Sequence, residues 1–446
     1  MDFKSSINET WKLFTIGTLI LFFLLHLLLD DTHQNTTPTS MLQLTILTSS
    51  TTIINPLNSS NSTLNPIKSS NFTLNPLDVS NFTVHLKDEQ VFGVEDIEKQ
   101  VNKTKKKCNM FEGRWVYKSE EIGRYDSITC PFLEEKMSCK QNGRPDFEYE
   151  KWRWEANDCD IPLFNATDML ERVRNKRMII SGDSLNRNMW ESLACLLYTS
   201  IPSSRVEVHA EDVLYKYLTA KDYNFTLKFH WSPFLVNFNK KHRSGKKVLE
   251  LDKVSTNAKL WYGADIMIFN SGHWWTHHTG KLKPWDLFEY KGNLTKEMPI
   301  ELAFKRAMKT WENWIVKNID SHQTTVFFRS ISAEHKMRQY NQWCYNVTQP
   351  MKDDESYVSV YPNSLIQIIE NMIDGIRKPK IKYLNITKLS EYRIDAHPSV
   401  YRSIHWKNIA NNFESVLRYA DCSHWCLPGL PDTWNRLLYA SLFFNI

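Results

Sequence analysis

The stretch RMIISGDSLNRNMW, residues 177–190, runs from an apolar strand-like segment into Gly-Asp-Ser and then into a helical pattern. A serine at such a turn, here Ser184, either caps the helix or offers its hydroxyl as a nucleophile. A hydroxyl attacks only when a base takes its proton and an acidic partner orients that base. The C-terminal stretch ADCSHWCLPGLPDTW supplies both, Asp421 and His424. Their spacing of three puts both side chains on one face of a helical turn, where the carboxylate can hold the imidazole. The glycine before the motif permits a tight turn. A helix running from Asn186 would turn its N-terminus toward a developing oxyanion. The chemistry these residues can carry is nucleophilic attack by the Ser184 hydroxyl, with helix capping as the other reading of that serine.

Other chemistry-bearing residues have two readings each. His273, His277 and His278 have metal-like spacing, but a polar loop at the rim of a sugar cleft is the preferred reading. Cys422-Ser423-His424-Trp425-Cys426 looks like half a zinc site, yet no second cysteine pair has matching spacing, so no metal is expected. Arg187 either contacts substrate or caps a helix. Asp395 and His397, in RIDAHPSVY, form a second acid–base pair and are read as structural. Trp274, Trp275 and Trp425 lie beside the candidate site residues in sequence. They are either flat platforms for sugar rings or core.

The elements that must position these groups are visible as β-rich runs at 177–180, 264–270, 324–330 and 381–387, with helical spacing over 186–197 and 301–316. Strands alternating with helices predict an α/β fold with a central parallel sheet covered on both faces. Sites in such sheets form at the carboxyl ends of strands, which is where Ser184 and the Asn270–His273 stretch fall. Net charge is +5 with 24% charged residues, and no dense basic stripe points to nucleic acid.

Residues 13–29 form an apolar run after Lys4 and Lys12, and no Lys or Arg follows until Lys68. This predicts a transmembrane signal anchor with a cytosolic tail at 1–12 and the rest of the chain on the far side. The short span suits a thin internal membrane. Residues 30–107 are rich in Ser, Thr and Asn and contain a period-ten repeat starting at Asn55, Asn65 and Asn75, each copy carrying an Asn-x-Ser/Thr sequon. This reads as a disordered, glycosylated stem. Residues 108–446 are then a lumenal catalytic domain. All eight cysteines follow the span, and an even number in an oxidising compartment predicts four disulfides, whose pairing the spacing leaves open.

Six stretches in order, GRWVYKSE, CPFLEEKMSCKQNGRPDFEYEKWRWEANDCDIPLFN, ISGDSLNRNMWESLACLL, FNSGHWW, DAHPSVY and DCSHWCLPGLPDTWNRLLY, run from the start of the body to Tyr439. In these the chain resembles the plant trichome-birefringence-like family of polysaccharide O-acetyltransferases, related to the GDSL/SGNH esterases. The resemblance implies a three-layer SGNH-hydrolase-like fold stapled by disulfides. It also implies a Ser184–His424–Asp421 triad working by two-step acetyl transfer, with Asn270 in the oxyanion hole. The acceptor would be a cell-wall polysaccharide, with xylan or another hemicellulose favoured over pectin. No tightly bound cofactor is implied, but an acetyl donor or a donor-supplying membrane protein is. Golgi anchoring as a type II protein follows from the same likeness and the span. A lumenal acetyl esterase and a non-enzymatic polysaccharide-binding protein are the competing readings. Where family members carry a Gly/Asn-rich loop after VFFR, this chain has SISAEHKMRQYNQWC, which leaves the acceptor open.

Overall fold

The apolar runs converge on one seven-stranded sheet. Its strands are β1 (Arg177–Gly182), β2 (Val206–His209), β3 (Tyr215–Ala220), β4 (Phe225–Trp231), β5 (Ile266–Phe269), β6 (Thr325–Arg329) and β7 (Ile381–Leu384). Their spatial order is β7-β6-β5-β1-β4-β3-β2. The structure, a computed structural model, describes residues 108–120, 125–276, 283–352 and 357–444. The expected tail, span and stem lie outside these residues, as do His277 and His278. Among the described residues no helix is long and apolar enough to cross a membrane.

The five strands from β7 to β4 run parallel, while β3 and β2 add on antiparallel. The sheet is therefore mixed: the five strands follow the expected parallel order, and two antiparallel strands that were not expected extend it beyond β4. The physical reason is the short connection at 221–224, which passes through Asn224 at φ 47°. A tight turn joins only antiparallel neighbours, whereas a parallel return needs a long crossover. A second sheet of four short strands, at 236–239, 248–254, 287–290 and 293–295, lies in the chain between β4 and the helix at 300–318. The sequence reading did not assign it.

Strand alternation feeds two separate cores. β5 sends Ile266 and Ile268 to one face and Met267 and Phe269 to the other; β6 sends Phe327 one way and Val326 and Phe328 the other. The first face is covered by α1 (Ala166–Arg172), α2 (Ser184–Tyr198) and α5 (Leu430–Phe443). The second is covered by α3 (Ile300–Asn318) and α4 (Asn363–Gly375). The result is three layers with β1 buried on both sides, which explains its unbroken apolar sequence.

Four disulfides staple the body: Cys108–Cys159, Cys130–Cys195, Cys139–Cys426 and Cys344–Cys422. Cys422 and Cys426 thus leave for two different loops. They do not form a metal half-site, and the segment between them, which contains His424, is tied down at both ends.

Candidate active site

β1 ends at Gly182, and α2 begins two residues later at Ser184. Gly182 is required here because a Cβ on it would lie 1.9 Å from the Asn270 side-chain oxygen. The helix cap at this turn is Asp183, whose carboxylate accepts the Leu185 N–H at 2.9 Å. Ser184 is therefore not the capping residue. Its hydroxyl meets His424 Nε2 at 2.7 Å across 240 residues of chain.

On the other side of the imidazole, His424 Nδ1 lies 2.8 Å from Asp421 Oδ2. A carboxylate accepts, so Nδ1 carries the proton and Nε2 presents its lone pair to the serine hydroxyl. The second carboxylate oxygen accepts the backbone N–H groups of Ser423 and His424, each at 3.1 Å. Burial opposes ionisation of Asp421, but the His424 ring and these N–H donors outweigh it, holding the carboxyl well below its usual range. This geometry can take a proton from Ser184 and return it. An Asp421→Asn chain is expected to stay folded while the Ser184 reaction slows by about 10⁴-fold, because an amide no longer selects the Nδ1–H tautomer. Stopped-flow labelling of Ser184 measures this, and a loss under tenfold would remove Asp421 from the role.

Buried amides hold the two halves together. Asn188, one turn past Ser184 on α2, accepts the Trp425 N–H at 2.9 Å and donates to the Trp425 carbonyl at 3.2 Å. Asn186 donates to the Ser181 carbonyl and accepts from Arg329 Nε at 2.8 Å. The sequence reading missed Asn186, Asn188, Asp183 and Arg329. Their signal was present for the three beside Ser184, since Asp183, Asn186 and Asn188 are polar residues at and after a turn into a buried helix and need partners there.

Asn270 accepts the Asp183 N–H at 3.2 Å and donates to the Asp183 carboxylate at 2.8 Å. One amide hydrogen of Asn270 is left for a substrate oxygen. The Ser184 N–H opens the helix, where no intrahelical carbonyl can meet it.

Several expected substrate contacts are placed elsewhere. Arg187 is buried, with Nε 2.7 Å from Glu134 and Nη1 donating to the Val213 carbonyl, so it neither caps a helix nor faces solvent. His273 is not at a rim: it is buried with Nδ1 3.5 Å from the Asp183 carboxylate and its ring edge-on to Tyr361. Trp275 and Trp425 are core, 1% and 0% exposed. Each indole finds a serine partner, Ser271 at 2.9 Å and Ser332 at 3.0 Å, which is what lets it bury. Trp274 alone of the three is half-buried, edge-on to Trp231. Asp395 forms a two-bond pair with Arg393 rather than serving His397. Among the described residues one potential metal cluster, His242, Glu250 and Glu289, comes together, but Lys253 bridges both carboxylates at 3.0 and 3.3 Å.

Residues 161–441 match the PC-Esterase family, described as a GDSL/SGNH-like acyl-esterase family found in Pmr5 and Cas1p, and residues 106–160 match the PMR5 N terminal domain. The layered α/β body is thus a PC-Esterase domain of the GDSL/SGNH-like type. Among Arabidopsis thaliana proteins, the chain is 39% identical over 363 residues to protein trichome birefringence-like 1, covering 78% of this chain and 64% of that protein. It is 38% identical over 366 residues to protein trichome birefringence, covering 79% and 59%. It is 39% identical over 340 residues to trichome birefringence-like 40, covering 75% and 88%. The chain spans less than two thirds of the length of the first two. It belongs to the trichome birefringence-like family.

Proposed function

We propose that this chain is an O-acetyltransferase that modifies hydroxyls of a plant cell-wall polysaccharide, xylan or another hemicellulose, from a Golgi membrane with its body in the lumen. The observation that carries the reading is the hydrogen-bond chain Ser184–His424–Asp421, at 2.7 and 2.8 Å. In the first half-reaction Ser184 Oγ attacks the acetyl carbonyl as its proton passes to His424 Nε2, and that proton then leaves with the donor's leaving group. In the second, a sugar hydroxyl gives its proton to His424 and attacks the acetyl-serine, and His424 returns the proton to Ser184. The Ser184 N–H and the remaining Asn270 amide hydrogen are suited to hold each oxyanion. Nothing in this scheme calls for a tightly bound cofactor. The acetyl donor, or a membrane protein that supplies it, is the necessary partner.

An esterase shares the acyl-enzyme and differs only in letting water collect the acetyl group. Transfer wins when the acceptor is bound and its hydroxyl is aimed at His424. With Trp275 and Trp425 in the core, Trp274 is the remaining ring of the three for an acceptor to stack on. Trp274→Ala is expected to cut transfer to polysaccharide at least tenfold more than acetyl release to water, measured on folded, monodisperse protein. Equal losses would leave transfer without a platform there.

A second reading, an acceptor carrying carboxylates as pectin does, is favoured by one observation. A cleft of about 500 Å³ beside His424 is lined by Lys136, Lys336, Arg338, Arg402 and Arg418 together with Trp343. Only Lys136 and Lys336 have carboxylate partners among the described residues, Glu134 at 3.0 Å and Glu334 at 3.3 Å. Cations beside a ring suit a uronate. Incubating the protein with an acetyl donor and a panel of neutral and acidic wall oligosaccharides, read by mass, tests both readings. Acetyl release without transfer to any acceptor would return the protein to the esterase class.

A further inference from the structure

Behind His424 lie two fully buried histidines that the proposed reaction does not use. His397 Nδ1 stands 2.7 Å from the His424 carbonyl oxygen, and His335 Nε2 stands 2.8 Å from the Glu391 carbonyl oxygen. The other two ring nitrogens, His397 Nε2 and His335 Nδ1, face each other at 2.7 Å. A carbonyl oxygen only accepts, so each outer contact requires an N–H, and the ring-to-ring contact requires a third proton. Two neutral imidazoles carry two. Every neutral assignment therefore leaves two lone pairs opposed at hydrogen-bond distance in a buried site.

We infer that His335 and His397 hold three protons between them, as a shared-proton imidazole–imidazolium pair, and act as positioning residues for His424. The inference rests on His424 being the general base. His397 anchors the backbone carbonyl of that base. The charge of the pair, close behind the base, acts against a second positive charge there.

The charge has company on each packed element. The Trp425 ring stacks on His397 with centroids 3.9 Å apart and planes at 21°, and its face attracts a cation. The carboxylates that favour the charge are buried Glu334, beside His335 in sequence, and Asp421 under His424. The Tyr357 ring lies edge-on to His335, and its hydroxyl meets the Glu334 backbone. Lys336 pairs with Glu334, Asp395 is held by Arg393, and Arg144 donates to the His397 carbonyl while pairing with Asp146. Glu391, whose carbonyl anchors His335, has its own carboxyl pushed up to about 7 by burial. Burial likewise pushes each imidazole toward its neutral form, His335 down to about 4. That penalty falls on a charge confined to one ring. A proton held between two rings spreads the charge and removes the lone-pair repulsion that neutrality leaves in place.

The test uses the full chain with ¹⁵N only in histidine, its signals assigned from His335→Gln and His397→Gln. The expected result at pH 7 is that three of the four ring nitrogens of the pair are protonated. Two protonated nitrogens would overturn the inference. A second arm follows the rate of Ser184 labelling by a fluorophosphonate against pH. A glutamine amide in place of His335 can donate to His397 Nε2, so the third proton is no longer needed. With that charge gone, the acid limb of His335→Gln is expected to move up by about one pH unit, so that labelling below the limb is about tenfold slower while the alkaline plateau is kept. An unmoved limb would overturn the inference. Absence of labelling in the wild type at every pH would instead sink the reading of Ser184, and the count of protonated nitrogens would still decide the pair.

Discussion

The Ser184→Ala chain is expected to fold with an unchanged thermal midpoint and to lose the proposed acetyl transfer by at least about 10³-fold relative to the wild type, with a loss of about 10⁶-fold within range. The two halves of that expectation have separate causes. Stability is kept because Ser184 is not the cap of α2: Asp183 accepts the Leu185 N–H, and alanine is compatible with a helix. Activity is lost because the one atom removed is the one His424 Nε2 faces at 2.7 Å. What remains are the helix N-terminus and the Asn270 amide, which can still stabilise an oxyanion but have no acyl acceptor to offer. Retention of more than a tenth of the activity would move the nucleophile elsewhere, and a fall in the thermal midpoint would give Ser184 a structural role that its contacts do not explain.

The double variant Cys139→Ser/Cys426→Ser is expected to lose both stability and reaction. Its disulfide closes a loop of 287 residues, for which the chain-entropy model gives about 6 kcal/mol, against about 4 kcal/mol for the 51-residue loop of Cys108–Cys159. The larger difference lies in the site. Cys426 is two residues past His424, and Cys139 lies in the segment whose Met137 carbonyl accepts the Leu427 N–H. Cutting this staple frees one end of the loop that aims the imidazole. Cutting Cys108–Cys159 leaves the loop untouched. Urea midpoints together with fluorophosphonate labelling at a temperature where both variants remain folded separate the effects: both midpoints fall, and labelling falls steeply only in Cys139→Ser/Cys426→Ser. Equal labelling in the two would show that the Asn188 and His397 hydrogen bonds and the Cys344–Cys422 staple suffice to hold His424.

Much of the site was legible in the sequence because its signals are local. An apolar run ending in Gly-Asp-Ser before a helical pattern defines a strand, a turn and a helix from neighbours alone. Asp421 and His424 are close at any compact local geometry, since only three residues separate them. β1, β5 and β6 are near-continuous apolar runs, which is the pattern of strands buried on both faces, and the edge strand β7 still buries Ile381 and Leu384. The edge strand β2, its neighbours β3 and β4, and the second sheet carry mixed, partly exposed patterns, and these were not read.

By itself, then, the sequence determined the element that presents Ser184, the acid–base pair at the far end of the chain, and an even set of cysteines to staple the body. Only the tertiary structure decided that Ser184 and His424 meet across 240 residues, that Cys426 reaches back to Cys139, and that Asp183 rather than Ser184 caps α2. It also decided that Trp275 and Trp425 are core while Trp274 is half-buried, that Arg187 is spent on Glu134, and that His335 faces His397. The reason is that spacing reports periodicity and nearest-neighbour hydrogen bonds. Burial and long-range pairing depend on what every other element leaves for a side chain to touch, which no window of sequence contains.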